Sequence, residues 1–198
     1  KMKAMRDNAH AVGAKFILVI GGYAIGTAEF AAMANSSSAR KTFASQVKEY
    51  VVDNDIDGVD IDWEFPNGTA GYENFRLMVE ELKNKLHPVN KSVSIAINPD
   101  LMGDMSAAFL KSPDFINVMT YDLSGQDHAP LSAKDKMKEL AAKGAQKNEL
   151  TYGVPFYGRN QGGYGGVAAT YNKLYGTGKM SKSKNVQDYN GKTYYYNG

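Results

Sequence analysis

Cysteine is absent from the 198 residues, which excludes disulfide bonds and thiolate metal sites. The absence leaves the compartment open, because a cytosolic protein and a bacterial secreted enzyme both fit it. The chain also has no apolar run near the roughly 18 residues that a membrane-spanning helix needs. Its polar first residues, 1–6, show no signal-peptide pattern.

The chain also lacks an excess of either positive or negative charge. The 23 basic and 21 acidic side chains leave a net charge of +2, too balanced to favour nucleic acid or an anionic membrane as a partner. His10, His87 and His128 show no spacing typical of a metal site and are expected to be incidental. We therefore expect neither a metal nor a cofactor.

Short apolar runs alternate with helical periodicity along the first 156 residues. The pattern predicts strands over residues 16–20, 58–64, 93–97, 115–121 and 150–156. It predicts helices over residues 42–52, 72–86 and 132–143, the last N-capped by Ser132 and ended by Gly144. The order predicts an α/β fold with a parallel sheet, in which the strand at 16–20 is buried on both faces. An open doubly wound sheet and a (β/α)₈ barrel both satisfy this pattern.

One predicted strand is unusual because acids alternate with apolar residues. Its acids, Asp60, Asp62 and Glu64, share one face of a strand that continues to residue 64. Crowded, buried carboxyls repel one another, and this can keep one of them protonated near neutral pH. A general acid and its partner need that arrangement. A solvated acidic edge strand is the simpler alternative, but the β-branched and aromatic residues between the acids disfavour it.

The same region also matches a calcium-binding loop over residues 53–64, with acids at loop positions 1, 3 and 5, Gly at 6 and Glu at 12. Two features disfavour that interpretation. Residues 65–68, Phe-Pro-Asn-Gly, break the helix that must follow such a loop. Asp60 also stands at the eighth loop position, where an apolar residue is normal.

Asp57, Asp60, Asp62 and Glu64 resemble the DxxDxDxE strand of family 18 glycoside hydrolases. Three more segments resemble that family in its order. Residues 20–23, Ile-Gly-Gly-Tyr, resemble the third barrel strand, although Val19 stands where Ser is common; residues 117–122 resemble the sixth strand and 153–159 the seventh.

The resemblance implies a (β/α)₈ TIM barrel of which this chain supplies about five βα units, strands 3 to 7. Residues 1–159 would be part of the catalytic barrel domain, and the Gly- and Tyr-rich residues 160–198 a loop or small insertion after the seventh strand. The first two strands and the eighth, which usually carries a Trp, would come from the rest of the same chain. The chain is therefore expected to be partial and inactive alone.

The resemblance also implies hydrolysis of β-1,4-linked N-acetylglucosamine polymers, chitin or its oligomers, by a retaining mechanism that the substrate assists. Glu64 would protonate the glycosidic oxygen. Asp62 would orient the 2-acetamido group that attacks the anomeric carbon, and Asp60 would share a proton with Asp62. Tyr121 would hydrogen-bond the acetamide oxygen, while Asp122 and Arg159 would contact sugar hydroxyls. The remaining expected substrate contacts are Tyr157, Trp63, Met119 and Gly22.

Two other activities stay open at this point. An endo-β-N-acetylglucosaminidase acting on glycoprotein glycans shares the acid strand, and chitinase-like lectins keep the barrel but lose the acid. The presence of Glu64 argues against a lectin. The resemblance implies a secreted or periplasmic protein.

Overall fold

The computed structural model describes residues 1–23, 26–123, 130–160, 168–170, 186–189 and 192–195. The helices of these residues are α1 Met2–Ala11, α2 Thr27–Ala34, α3 Ser37–Asp53, α4 Gly68–Leu86, α5 Ala107–Leu110 and α6 Pro130–Lys143. The strands are β1 Ile17–Gly21, β2 Gly58–Asp62, β3 Ser92–Ile97, β4 Phe115–Val118, β5 Leu150–Tyr152, β6 Tyr157–Asn160, β7 Ala168–Thr170, β8 Val186–Tyr189 and β9 Lys192–Tyr195. Short 3₁₀ helices cover His87–Val89, Pro99–Asp104 and Lys147–Glu149.

The first five strands form one sheet in the order β1-β2-β3-β4-β5. The strand β2 runs parallel to β1 and to β3, with Asp60 opposite Val19 and Ser94, and with Asp62 opposite Gly21. Sequential strands lie side by side because the helices between them carry the chain back for each parallel pairing. The predicted α/β fold with a parallel sheet is confirmed.

The core lies between this sheet and the helices that cover it. Val59 and Ile61 on β2 are fully buried, and so are Met78 and Leu82 on α4. The apolar stripe of α4 recurs at three- and four-residue spacing, as an amphipathic helix against a sheet requires. This packing leaves the other face of β2 for its acids.

Several element boundaries differ from the sequence-based predictions. The helix α3 begins at Ser37 because Ser36 caps it, accepting a hydrogen bond from the backbone N–H of Ala39 at 3.3 Å. The helix α6 begins at Pro130, so Ser132 lies inside the helix, and its predicted role as the N-cap is wrong. Proline fits the first turn of a helix, where its missing N–H is not needed.

The prediction that the strand at 16–20 is buried on both faces is also wrong. Val19 is 56% exposed. Within the described part of the chain β1 is an edge strand that pairs only with β2, so one flank of Val19 has no neighbouring strand. A continuous apolar run could not distinguish this edge from the centre of the sheet.

A second sheet is antiparallel and has the order β7-β6-β9-β8. Tyr157 pairs with Thr170, and Arg159 with Tyr195. The residues cluster into two compact units, with β2 in the first and this antiparallel sheet in the second. The predicted boundary between residues 159 and 160 stays a prediction.

Candidate active site

Asp60 is the inner acid of β2 and is held by two side chains. It is 6% exposed, and one of its carboxylate oxygens, Oδ1, accepts hydrogen bonds from Ser94 Oγ at 2.5 Å and Asn117 Nδ2 at 2.8 Å. Ser94 reaches it because β2 and β3 pair with these two residues opposite each other. Neither partner was predicted from the sequence. The only signal for Ser94 was a polar residue within an apolar strand.

Asp62 follows Asp60 two residues along β2, so both side chains leave the same face of the strand. Burial raises the pKa of Asp60, although the hydrogen bonds from Ser94 and Asn117 oppose this. Burial raises the pKa of Asp62 as well, and the charge of Asp60 adds to it. The pair therefore favours holding a proton at a higher pH than separate, exposed aspartates would.

Asp62 also keeps an open hydrogen-bonding position. Its Oδ1 atom is buried and has no hydrogen-bond partner among the described residues. An unsatisfied buried carboxylate oxygen is costly to a folded protein, which makes it a place where a ligand donor could bind.

Gly21 and Gly22 lie against the backbone of Asp62. The Gly22 N–H donates to the Asp62 carbonyl oxygen at 2.8 Å. A methyl group on Gly21 would lie 2.1 Å from that oxygen, and Gly21 has a φ of +112°, where residues with a side chain are strained. The predicted site residue Gly22 is also next to the Asp62 side chain. A Cβ atom placed on Gly22 would lie 3.8 Å from Asp62 Oδ2.

Trp63 is a core residue. Its side chain is 2% exposed and stacks on Phe30 with ring centroids 5.7 Å apart, while Phe75 of α4 contacts it at 5.5 Å. The ring has no surface to offer a sugar, so the predicted substrate contact of Trp63 is wrong. The period-two pattern had already assigned this residue to the apolar face of β2.

Glu64 lies beyond the strand, which ends at Asp62 and not at residue 64 as predicted. Strand alternation therefore cannot assign its side chain to the face of Asp60 and Asp62. The half-buried Glu64 is followed by a cis peptide bond to Phe65, and its carbonyl oxygen accepts a hydrogen bond from Thr27 Oγ1 at 2.5 Å.

The second unit brings three other predicted site residues together. The Tyr157 hydroxyl donates to Asp122 Oδ2 at 2.6 Å, and the ring of Tyr157 meets that of Tyr121 edge to face at 6.3 Å. Asp122 is 8% exposed and has a φ of +55°, an uncommon conformation outside glycine. Buried acids in such conformations are enriched at functional sites.

The chain around Tyr121 is fixed by the segment that follows β5. The Gly153 N–H donates to the Val118 carbonyl oxygen at 2.9 Å, and Thr120 Oγ1 donates to the Gly153 carbonyl oxygen at 2.7 Å. A methyl group on Gly153 would lie 2.8 Å from Tyr121 Cε1. Met119 lies half-buried in this stretch, and the side chain of Arg159 lies outside the described residues. The convergence of these residues with Asp62 and Glu64 stays a prediction.

Two histidines that the sequence analysis treated as incidental have structural partners. His10 Nε2 lies 2.8 Å from Asp57 Oδ2, and that oxygen also accepts the Phe16 N–H at 2.7 Å. His87 and Asp114 repeat the arrangement, with the Val93 N–H donating to Asp114 at 2.7 Å. Each aspartate precedes a strand and joins its beginning to a neighbouring strand. His128 lies outside the described residues.

The calcium-loop alternative is contradicted, because residues 58–62 form a strand paired on both sides. Among the residues that the structure describes, no three His, Cys, Asp or Glu side chains are grouped so that they could hold a metal ion. In the same part of the chain, no helix combines the length and the apolar character needed to cross a membrane.

Comparison with known proteins gives a match over the whole chain. The model of the family described as "Glycosyl hydrolases family 18" matches residues 1–198. Chitinase 1 of Aphanocladium album is 28% identical over 204 residues, which cover 88% of this chain and 47% of that protein. The chain thus spans about half the length of this relative.

Two solved structures have the same fold. A chitinase-like agglutinin from Robinia pseudoacacia superposes with a TM-score of 0.81 at 22% identity, covering 100% of this chain and 73% of that one. A class V chitinase from Nicotiana tobaccum, solved as a mutant in complex with NAG4, gives 0.82 at 17% identity with the same coverage. Together with the family match, these confirm the predicted TIM-barrel fold class.

Proposed function

The chain belongs to glycosyl hydrolase family 18, and on that premise we propose that its protein hydrolyses β-1,4-linked N-acetylglucosamine polymers. The observation that carries the proposal is the pair Asp60 and Asp62. These acids lie on one face of β2 and their pKa values are raised. Asp62, two residues before Glu64, keeps a buried oxygen that no described residue hydrogen-bonds.

In the proposed first step Glu64 transfers its proton to the glycosidic oxygen. The substrate's own 2-acetamido oxygen attacks the anomeric carbon as the bond to the leaving sugar breaks, which gives an oxazolinium ion. Asp62, ionised while Asp60 holds the shared proton, orients the acetamide N–H and balances its positive charge. Tyr121 donates a hydrogen bond to the acetamide oxygen.

In the second step water attacks the anomeric carbon while the Glu64 carboxylate accepts its proton, so the original anomeric configuration is restored. This route differs from that of retaining enzymes that use a protein carboxylate as the nucleophile. We assign sugar contacts to Asp122, Tyr157, Arg159, Met119 and Gly22. The hydrogen bond from Tyr157 to Asp122 supports this, because it fixes the carboxylate that would face sugar hydroxyls.

The test is the substitution Glu64→Gln in the complete protein, assayed with a chromogenic N-acetylglucosamine oligomer. Loss of the proton donor should lower turnover by about 10²- to 10⁴-fold while oligomer binding persists. Glu49→Gln, an exposed glutamate on α3, is the matched control and should keep full turnover. Turnover by Glu64→Gln equal to that of the unsubstituted protein would contradict the mechanism.

The same assay separates the alternatives. Binding of oligomers without hydrolysis by the unsubstituted protein would indicate a lectin-like protein. Release of glycans from glycoproteins but not from chitin oligomers would indicate an endo-β-N-acetylglucosaminidase. Because chitin is an insoluble polymer outside the cell membrane, we also propose a secreted or periplasmic location, which fractionation of producing cells would test.

A further inference from the structure

Asp62, Trp63 and Glu64 are each contacted by a residue that follows β1 in the chain. The Gly22 N–H binds the Asp62 carbonyl oxygen at 2.8 Å. Phe30 stacks on the ring of Trp63, and Thr27 donates its hydroxyl to the Glu64 carbonyl oxygen at 2.5 Å. Three consecutive residues are thus contacted by Gly22, Phe30 and Thr27.

The contact from Thr27 differs from those of Gly22 and Phe30, because it lies beyond the end of the β-sheet pairing. The pairing of β2 with β1 ends at Asp62, and its pairing with β3 ends one residue earlier, at Ile61. Glu64 therefore lies two residues beyond the last ladder pair. Beyond the strand pairing, it is a helix residue, Thr27, that donates its hydroxyl to the Glu64 carbonyl oxygen.

We propose that Thr27 is a positioning residue for Glu64, an inference that rests on the proposed function of Glu64 as the acid. The hydrogen bond fixes the carbonyl of Glu64 and hence the direction in which its side chain leaves the backbone. Displacement of a reacting group by about 1 Å can cost about 10²-fold in rate, so a contact worth little to folding is worth more to the reaction.

The exposure of Thr27 makes these two effects separable. Thr27 is exposed at the first position of α2, and its methyl group and hydroxyl contribute little to the core. Substitutions at such surface positions usually change the free energy of unfolding only slightly. A variant without the hydroxyl should therefore fold normally and lose rate.

The test compares Thr27→Val, which keeps the shape but removes the donor, with Thr27→Ser, which keeps the donor. In the complete protein we expect Thr27→Val to lower kcat about tenfold, the equivalent of one well-formed hydrogen bond, and to leave KM within about twofold. Thr27→Ser should restore kcat. Thr42→Val, at an exposed threonine of α3, is the matched control and should retain the original kcat.

Thermal unfolding of the same variants separates positioning from stability, since all should melt within about 2 °C of the unsubstituted protein. Full kcat in Thr27→Val, or the same loss in Thr27→Ser as in Thr27→Val, would overturn the proposal. So would a loss of rate that tracks a lower melting temperature.

A second measurement keeps the inference testable if the proposed function itself fails. If the unsubstituted protein hydrolyses no N-acetylglucosamine oligomer, amide hydrogen exchange of the peptide that covers residues 62–66 decides. Thr27→Val should speed exchange in this peptide relative to Thr27→Ser and Thr42→Val. Unchanged exchange would show that Thr27 does not hold this segment.

Discussion

At the scale of single residues, two pairs of aspartates occupy opposite environments. Asp60 is buried and Asp62 half-buried, and the charge of both is disfavoured, whereas Asp57 and Asp114 accept hydrogen bonds from backbone N–H groups and histidines. The sequence predicted the first pair correctly as neighbours on one face, because period-two alternation holds within a strand. It could not predict the second pair, because their partners lie on other elements.

We expect Asp62→Asn to stabilise the protein at neutral pH. The folded pKa of Asp62 is raised above 3.8, so its contribution to stability is fully present below that pH and is lost as the pH rises through the folded pKa. The neutral amide removes this cost, and we expect the melting temperature at pH 7 to rise by about 2–4 °C, an effect limited by the solvent that still reaches Asp62.

Melting curves of the two proteins at pH 3 and pH 7 check this expectation. The gain should disappear at pH 3, where the aspartate is protonated in both the folded and the unfolded chain. Asp135→Asn is a contrasting control, because Lys138 lowers the pKa of the exposed Asp135 and its removal should bring no gain. A gain of equal size at both pH values would contradict the electrostatic explanation.

At the scale of elements, strong helical periodicity was a good guide and strand ends were not. The helix predicted at 72–86 lies within α4, but β2 stops at Asp62 although its alternation continues to Glu64. The end of a strand depends on where its neighbours stop pairing, and one segment carries no information about that. The short helix α2 went unpredicted because Gly26 precedes it without a side-chain cap.

Gly21 gives the element-scale prediction. Gly21→Ala should lower the free energy of unfolding by at least about 2 kcal/mol, because the methyl group would collide with the backbone of Asp62 and the positive φ disfavours alanine. Gly103→Ala is the matched control, since no atom of the described residues lies within 4 Å of its Cβ position. Urea unfolding of both variants measures the difference. Equal midpoints would show that the backbone adjusts to the Gly21→Ala methyl group with little loss of free energy of unfolding.

At the scale of the whole molecule, the fold class followed from the alternation of strands and helices, and the choice of a barrel followed from four motifs. The acid strand and the pair Tyr121 and Tyr157 were identified from those motifs. What sequence could not provide was the hydrogen bonding that prepares them, because Ser94, Asn117 and Thr27 lie on other elements and one segment does not show which element its side chains meet. Trp63 was misassigned because its sugar contact was taken from the family resemblance, although the period-two pattern already indicated the apolar face.

Stability in acid should depend on Asp57 and Asp114. Burial opposes ionisation at both, but the backbone N–H and histidine contacts outweigh it and hold each pKa below 3.8. Their contribution to stability is therefore present above the unfolded pKa of 3.8 and is lost as the pH falls through the folded pKa. We expect Asp57→Asn and Asp114→Asn each to cost about 1–3 kcal/mol at pH 7 and to lessen the loss of stability towards pH 2.

Urea unfolding between pH 2 and pH 7 would measure this effect. Asp53→Asn, at an exposed aspartate in the last turn of α3, is the control and should leave the pH dependence intact. If both Asp57→Asn and Asp114→Asn lose as much stability between pH 7 and pH 2 as the unsubstituted protein, other groups govern acid unfolding.

The contact between Gly21 and the Asp62 backbone has a consequence for protein engineering. Gly21, the last residue of β1, lies against the Asp62 backbone without room for one methyl group, and the Thr27 hydroxyl contacts the Glu64 carbonyl oxygen. We therefore expect that the segment with Gly21 and Thr27 and the segment with Asp62 and Glu64 can be exchanged between barrels only together. A chimera should therefore take both segments from the same parent, so that the contacts between them are kept.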